Sequence, residues 1–350
     1  MKSNVKDRKS NIELLRIIMI LAVIGLHYFN GKMGGLLDHR GTVNLYSSHI
    51  LESIFIIAVN VFVLITGYFS INKRSVKVSK IIRLYLIMIF YGVILTVAGG
   101  ILNNYHIFDL SFIIKVIENA CSQWFVVSYG ILYLLIPFIN YLLLKLSQQE
   151  LRTLIVINIF FFNIWPTFFT PVTVADNGYG IINFLILYLV GFYIRVYHDI
   201  SVNKWKYLFV YVLFTIITSG FSLVASRAWS YNSIFVMISS IAIFMFFKSI
   251  SIPHSKIINR IASYTFMVYL IDVNSPFNLF LYRTLFHSNE YWNSNLMILN
   301  MIISIIGIYV ICLLIETARR LLFGKIEDRL LSHVNYEIRV GVNKGEKSLN

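Results

Sequence analysis

The sequence predicts an all-α protein, a polytopic membrane bundle of about ten transmembrane helices with both termini in the cytoplasm. Hydrophobic residues make up 58% of the 350 residues and charged residues only 13%, and the mean hydropathy is +0.74. Apolar runs close to the ~20 residues that cross a bilayer recur along the chain. Lys and Arg concentrate in alternate connections between these runs, as they do in cytoplasmic loops.

Ten apolar runs divide the chain, and each predicts one helical span. Two of them are irregular, because Pro166 and Pro171 end the fifth early, while Asp272 and Pro276 interrupt the ninth. The predicted spans cover residues 12–31, 50–71, 81–102, 124–146, 152–169, 180–197, 206–224, 231–250, 261–281 and 296–318.

The basic residues give the orientation of this bundle. With the N-terminus inside, 24 of the 30 Lys and Arg residues fall in inner connections and tails, five in outer connections, and Arg16 within the first span. Topology and contact with anionic membrane lipids therefore explain the net charge of +14, and nucleic acid is not an expected partner. We expect a plasma-membrane protein with a transmembrane domain over 1–320 and a basic cytoplasmic tail over 321–350, which begins with a short amphipathic segment followed by disorder.

The first span carries three ionisable side chains that a lipid-facing helix should not contain, Glu13, Arg16 and His27. At 100° per residue, Arg16 and His27 project from one helix face, about 16 Å apart along the axis. Arg16 could snorkel to headgroups and His27 could be an interfacial histidine, but the shared face favours a functional pair facing the bundle interior. No small-residue cleavage site follows the run, which predicts a retained helix rather than a secretion signal.

The connection after the second span is strongly basic. Small residues at the end of that span, Thr66, Gly67 and Ser70, permit close helix packing. A cytoplasmic position alone explains a basic cluster here, but the same side chains could hold the phosphates of a nucleotide-bearing donor. The cluster consists of Lys73, Arg74, Lys77, Lys80 and Arg83.

Two further residues are candidates for substrate binding. Trp124 begins the fourth predicted span at the outer face, where it could anchor the helix at the interface or stack on a substrate. Asp272 lies near the outer end of the ninth span, where it could pair with His27 or Arg283 or face water. The chain shows no metal-ligand spacing, so no metal is expected.

Several segments together resemble the membrane-bound acyltransferase-3 family, the O-acyltransferases that modify bacterial surface polysaccharides. Residues 13–16 read Glu-Leu-Leu-Arg, and His27 follows Arg16 after ten residues, which is similar to the family's opening motif. Residues 60–68, Asn-Val-Phe-Val-Leu-Ile-Thr-Gly-Tyr, resemble its Phe-Phe-x-x-Ser-Gly-Tyr stretch, with Thr66 at the serine position.

Two shorter segments and one departure complete the resemblance. Residues 80–83, Lys-Ile-Ile-Arg, are similar to the family's cytoplasmic Arg-x-x-Arg, and Gln-Trp-Phe at 123–125 resembles its Leu-Trp-Phe. The family's late Ser-x-x-x-x-Tyr-Leu-Ile-His stretch appears here as Tyr-Leu-Ile-Asp at 269–272. If that late histidine has a role in the family, this chain must do without it or use Asp272.

The resemblance implies that cytoplasmic acyl-CoA, usually acetyl-CoA, donates an acyl group to a hydroxyl of a polysaccharide or lipid-linked glycan outside the membrane. It also implies that Arg16 and His27 act in catalysis and that Lys80 and Arg83 bind the donor. The chemistry of the side chains agrees, because a neutral imidazole can take the proton of an attacking hydroxyl. Arg16 stays charged and could hold an anionic donor or orient Glu13.

Two other classes of function remain open. A transporter or flippase for a glycan or lipid-linked sugar could use Arg16 and His27 to line a pathway, although the two halves of the chain show no corresponding broken helices. A non-catalytic assembly partner is the third possibility, and it requires both residues to be dispensable.

Overall fold

The computed structural model describes residues 9–39, 43–169, 173–198 and 203–341. It is 77% helical, which confirms the predicted all-α class. Within the described residues the only sheet pairs two short antiparallel strands, β1 (Ser75–Lys77) and β2 (Glu337–Arg339).

Fifteen α-helices lie in the described part of the chain. The first eight are α1 (Ser10–Phe29), α2 (Leu45–Phe55), α3 (Ala58–Phe69), α4 (Val78–Leu102), α5 (Leu110–Cys121), α6 (Trp124–Leu143), α7 (Gln148–Ile159) and α8 (Trp165–Phe168). The remaining seven are α9 (Ile181–Tyr197), α10 (Lys204–Ser222), α11 (Ile234–Lys248), α12 (Lys256–Ala262), α13 (Thr265–Asp272), α14 (Phe277–Leu279) and α15 (Met297–Ser332).

Eight helical stretches of the described residues are long and apolar enough to cross a membrane, and they correspond to eight of the ten predicted spans. The sixth predicted span corresponds to α9, which has 17 residues. The ninth is divided among α12, α13, α14 and a π-helical turn over Phe280–Leu285. Pro276 interrupts this segment because it lacks an N–H and restricts the residue before it. The span count and the side of each terminus stay predictions.

The fourth span begins earlier than predicted. Residues 103–123 were expected to form an outer connection, but α5 occupies most of them and runs antiparallel to α4, with Phe112 against Gly100 and Ala120 against Gly92. Residues 110–143 therefore form one apolar stretch that is interrupted only at Ser122 and Gln123. Trp124 consequently lies within this stretch and not at its outer end.

The described part of the C-terminal tail consists of the end of a helix and a short strand. Helix α15 continues without a break across residue 320, the predicted domain boundary, and ends at Ser332. Residues 337–339 then form β2, while residues 342–350, where disorder was also expected, lie outside the described residues. The division at residue 320 stays a prediction.

Helix α1 lies at the centre of the bundle. It packs against α2, α3, α11, α12, α13 and α15, and 14 of its 20 residues are buried. Its N-terminal end is held by Asn11, whose side-chain amide donates to the carbonyl oxygens of Phe247 and Ile250. A central helix contacted from several sides is well placed to build a site from its own side chains.

Glycines bring α3 and α9 into close contact, as the small residues of the second span predict. A Cβ at Gly67 would lie 2.4 Å from the carbonyl oxygen of Tyr188, and one at Gly191 would lie 2.5 Å from that of Leu64. Both obstacles are backbone atoms, so the two helices would have to separate to admit a side chain.

Replacing Gly67 by alanine is therefore expected to lower the free energy of unfolding by ~1–3 kcal/mol, the usual cost of overpacking. Thermal unfolding of the purified protein in detergent measures this change. Gly220→Ala in α10 is the matched control, since nothing lies within 4 Å of a Cβ there. Equal stability of the two variants would contradict the close α3–α9 contact.

Candidate active site

His27, near the end of α1, pairs with a buried carboxylate. Its Nδ1 lies 2.6 Å from Oδ2 of Asp272, the last residue of α13. Asp272 is fully buried, whereas 15% of the His27 side chain is exposed. Of the three environments that the sequence left open for Asp272, the structure selects the pairing with His27.

A third side chain fixes the carboxylate. The Tyr282 hydroxyl lies 2.9 Å from Asp272 Oδ1 and 3.1 Å from the carbonyl oxygen of Ile24, one turn before His27 on α1. Arg283, the alternative partner for Asp272, instead donates from Nε to the carbonyl oxygen of Met33 at 2.6 Å. Tyr282 was not a candidate from the sequence, since no spacing relates it to α1.

This arrangement favours one tautomer of the neutral imidazole ring. An ionised carboxylate only accepts hydrogen bonds, so Nδ1 of a neutral His27 carries the proton and Nε2 keeps its lone pair. Among the described residues nothing donates to Nε2. The pair thus has the chemistry of a general base held by a carboxylate.

Arg16 opens onto a cavity of about 300 Å³, which we call the Arg16 cavity. Its walls are mainly apolar and aromatic, with Lys80 as the second cation. Arg16 Nε is buried and has no hydrogen-bond partner in the described chain, although it lies 4.0 Å from Glu13 Oε1. An unpartnered buried donor beside a second cation favours an anionic ligand.

The Arg16 cavity follows the helix face that carries His27. Arg16, Ile20 and Val23 line it, and His27 is the next position on the same stripe of α1. From Arg16 to Val23 the helix rises about 10 Å, and from Val23 to His27 about 6 Å more. On the opposite wall Tyr269 precedes Asp272 by one turn of α13. The cavity therefore ends one turn short of the His27–Asp272 pair.

The predicted basic cluster separates into distinct environments. Lys73 donates to the Ser70 hydroxyl at 2.9 Å, and desolvation by surrounding protein lowers the pKa of Lys73, as do the charges of Lys80 and Arg16. The backbone of Arg74 accepts a hydrogen bond from the N–H of Val340 at 3.1 Å.

The other members of that cluster lie beside the C-terminal tail. Lys77, Lys80 and Arg83 line a surface cleft of about 380 Å³, and Lys80 also lines the Arg16 cavity. Arg83 is bound by two carboxylates of α15, at 2.6 Å from Asp328 and 3.3 Å from Glu327. The cleft and the cavity therefore share one cation.

Trp124 belongs to an aromatic cluster beside the Arg16 cavity. Its ring stacks on Tyr231 with centroids 5.6 Å apart and contacts Tyr179 edge-on at 4.7 Å. The neighbouring Phe125 lines the cavity and contacts Tyr269 at 5.3 Å. Trp124 therefore packs against other rings within the apolar stretch over residues 110–143, and both of its proposed roles stay predictions.

A family model described as an acyltransferase domain matches residues 9–317. The chain belongs to the acyltransferase-3 family. No curated protein and no solved structure matches it. The matched region covers α1, the basic cluster and the His27–Asp272 pair, so the acyltransferase-3 family assignment includes every candidate site residue. The protein is therefore a multi-pass membrane acyltransferase.

Proposed function

We propose that this acyltransferase moves an acyl group, in the simplest case acetyl, from cytoplasmic acyl-CoA to a hydroxyl of an extracytoplasmic polysaccharide or lipid-linked glycan. One observation carries the proposal. A cationic cavity and a carboxylate-held histidine lie consecutively on one stripe of α1, so a donor bound in the cavity would lie in line with the base. Arg16 and Lys80 bind the donor, and His27 activates the acceptor.

The residues present fit an acyl-CoA donor. Its nucleotide end carries phosphates, which suit Lys77, Lys80 and Arg83 at the cleft. Its pantetheine arm is long and largely apolar with amide groups, which suits the aromatic walls of the Arg16 cavity. The donor supplies the acyl group as a thioester, and the protein supplies the base.

The transfer step follows from the state of His27. Nε2 takes the proton of the acceptor hydroxyl as its oxygen forms a bond to the acyl carbon. The carbon–sulfur bond breaks, and the imidazolium returns the proton to the leaving thiolate, which regenerates the neutral ring. Asp272 stabilises the imidazolium and keeps the ring oriented. We thus propose a positioning role for Asp272 in place of the substrate-binding role expected from sequence.

A transporter or flippase would move the same glycan without covalent change, and this difference gives the test. Membrane vesicles containing the protein receive acetyl-CoA, labelled in the acetyl group, on the cytoplasmic face. They receive the cell-surface glycan fraction on the opposite face. We expect the label to appear in the glycan as an alkali-labile ester, with an equal amount of free thiol released. Glycan movement without incorporated label would contradict acyl transfer and support the transporter.

A further inference from the structure

The chain continues past the region that the family model matches, and this continuation packs against the donor side of the site. Residues 333–341, which we call the C-terminal strap, follow α15 and contain β2. Strand β2 pairs with β1 in the register Ser75↔Arg339 and Lys77↔Glu337. A further backbone hydrogen bond joins the N–H of Val78 to the carbonyl oxygen of Tyr336 at 3.0 Å. The strap is therefore fixed to the segment that carries the basic cluster.

The cleft of about 380 Å³ lies between these two segments. Lys77, Lys80 and Arg83 line one side, while Asn335, Tyr336 and Arg339 of the strap line the other. Because Lys80 also lines the Arg16 cavity, a ligand in the cleft could extend directly into that cavity.

Charge in the cleft is only partly balanced. Arg339 Nη2 lies 2.6 Å from Glu337 Oε2, and Arg83 is bound by Asp328 and Glu327. Lys77 and Lys80 have no ion-pair partner among the residues that the structure describes. Two cations thus remain available for an anion.

Asp328 occupies the face of Arg83 that an anion would use. Its side chain is 59% exposed, so its ion pair with Arg83 can exchange for another anion at little cost. A guanidinium group binds carboxylate and phosphate oxygens with the same forked geometry. Asp328 therefore marks a position for a phosphate oxygen.

The strap also supplies an aromatic ring. Tyr336 is 69% exposed although it lines the cleft, which leaves its ring available to a planar group. Nucleobases stack on exposed tyrosine rings of this kind.

We propose that the C-terminal strap completes a binding site for the adenine nucleotide end of the donor. The phosphates bind Lys77, Lys80 and Arg83, the base stacks on Tyr336, and Asp328 competes with the phosphates for Arg83. This inference rests on the proposed acyl-CoA function, and it assigns ligand contacts to a segment outside the family-matched region.

Binding of adenosine 3′,5′-bisphosphate, which lacks the pantetheine arm, tests the site directly. Calorimetry on the purified full-length protein in detergent should show binding to the wild type. Tyr336→Ala should weaken it about tenfold through lost stacking. Asp328→Asn should tighten it about threefold or more, because the competing charge is gone. Tyr46→Ala, a tyrosine of similar exposure on α2, is the matched control and should bind as the wild type does.

Transfer kinetics provide the second arm. Tyr336→Ala should raise the KM for acetyl-CoA and leave the KM for S-acetyl-N-acetylcysteamine, which has no nucleotide, unchanged. No binding of the bisphosphate to the wild type, or wild-type affinity in Tyr336→Ala, would overturn the proposal even if acyl transfer occurs. If the bisphosphate binds and responds to the variants as stated but the protein transfers nothing from acetyl-CoA, the nucleotide site is supported and the proposed function is refuted.

Discussion

Replacing His27 by glutamine is expected to lower the rate of acyl transfer by about 10²–10⁴-fold, the usual contribution of a general base. Glutamine can still hydrogen-bond to Asp272, so the contact between α1 and α13 is retained while the basic nitrogen is lost. The measurement is incorporation of labelled acetyl into glycan by membranes that contain equal amounts of wild type and variant.

The control for this experiment is His287→Gln. His287 is an exposed histidine, 56% accessible, that pairs with Glu290 at 3.0 Å away from α1. We expect this variant to transfer at the wild-type rate. If His27→Gln also keeps full activity, His27 is not the base, and the in-line arrangement of donor and acceptor loses its catalytic group.

The sequence predicts both α1 and the helix face that carries Arg16 and His27, because each depends only on residues close together in the chain. The length of an apolar run determines where a span can lie, and helical periodicity places Arg16, Val23 and His27 on one face. The structure begins α1 at Ser10 and ends it at Phe29, within two residues of the predicted 12–31. A close helix contact by α3 was likewise predicted from its small residues, which include Gly67, but its partner α9 was not.

The partners of those residues are not local and could not be obtained from spacing. His27 and Asp272 are 245 positions apart, and three environments for the carboxylate were equally compatible with the sequence. Packing of α13 and the π-helical turn around α1 selects one of them. Tyr282 could not be inferred from the sequence either, because its hydroxyl reaches Asp272 and the carbonyl oxygen of Ile24 only in the folded chain.

The fourth span differs from its predicted start for an identifiable physical reason. Lys115 and Glu118 lower the hydropathy of residues 110–121, so the fourth span seemed to start at Trp124, although α5 tolerates both charges on exposed or half-buried positions. The sequence analysis also did not predict what the tail contacts. Its acidic residues Glu327 and Asp328 bind Arg83, a contact made across more than 240 positions of sequence.

Asp272→Asn should have the second large effect, a loss of about 10²–10⁴-fold in kcat. Asparagine is nearly the same size, but its NH₂ group can donate to Nδ1 of His27 and so favour the tautomer that carries its proton on Nε2, where the lone pair is needed. The KM for the donor should change little, because Asp272 lies one turn beyond the Arg16 cavity and is not among its lining residues.

Two further variants separate a positioning role for Asp272 from a merely structural one. Asp272→Glu keeps the acceptor-only carboxylate and should recover part of the lost kcat, whereas a structural defect would be made worse by the larger side chain. Tyr282→Phe removes one hydrogen bond to Asp272 but leaves the charge, and should cost about tenfold or less. If Asp272→Asn turns over at the wild-type rate, or if its loss lies wholly in the donor KM, the carboxylate does not orient His27. In the second case Asp272 would act on the donor itself.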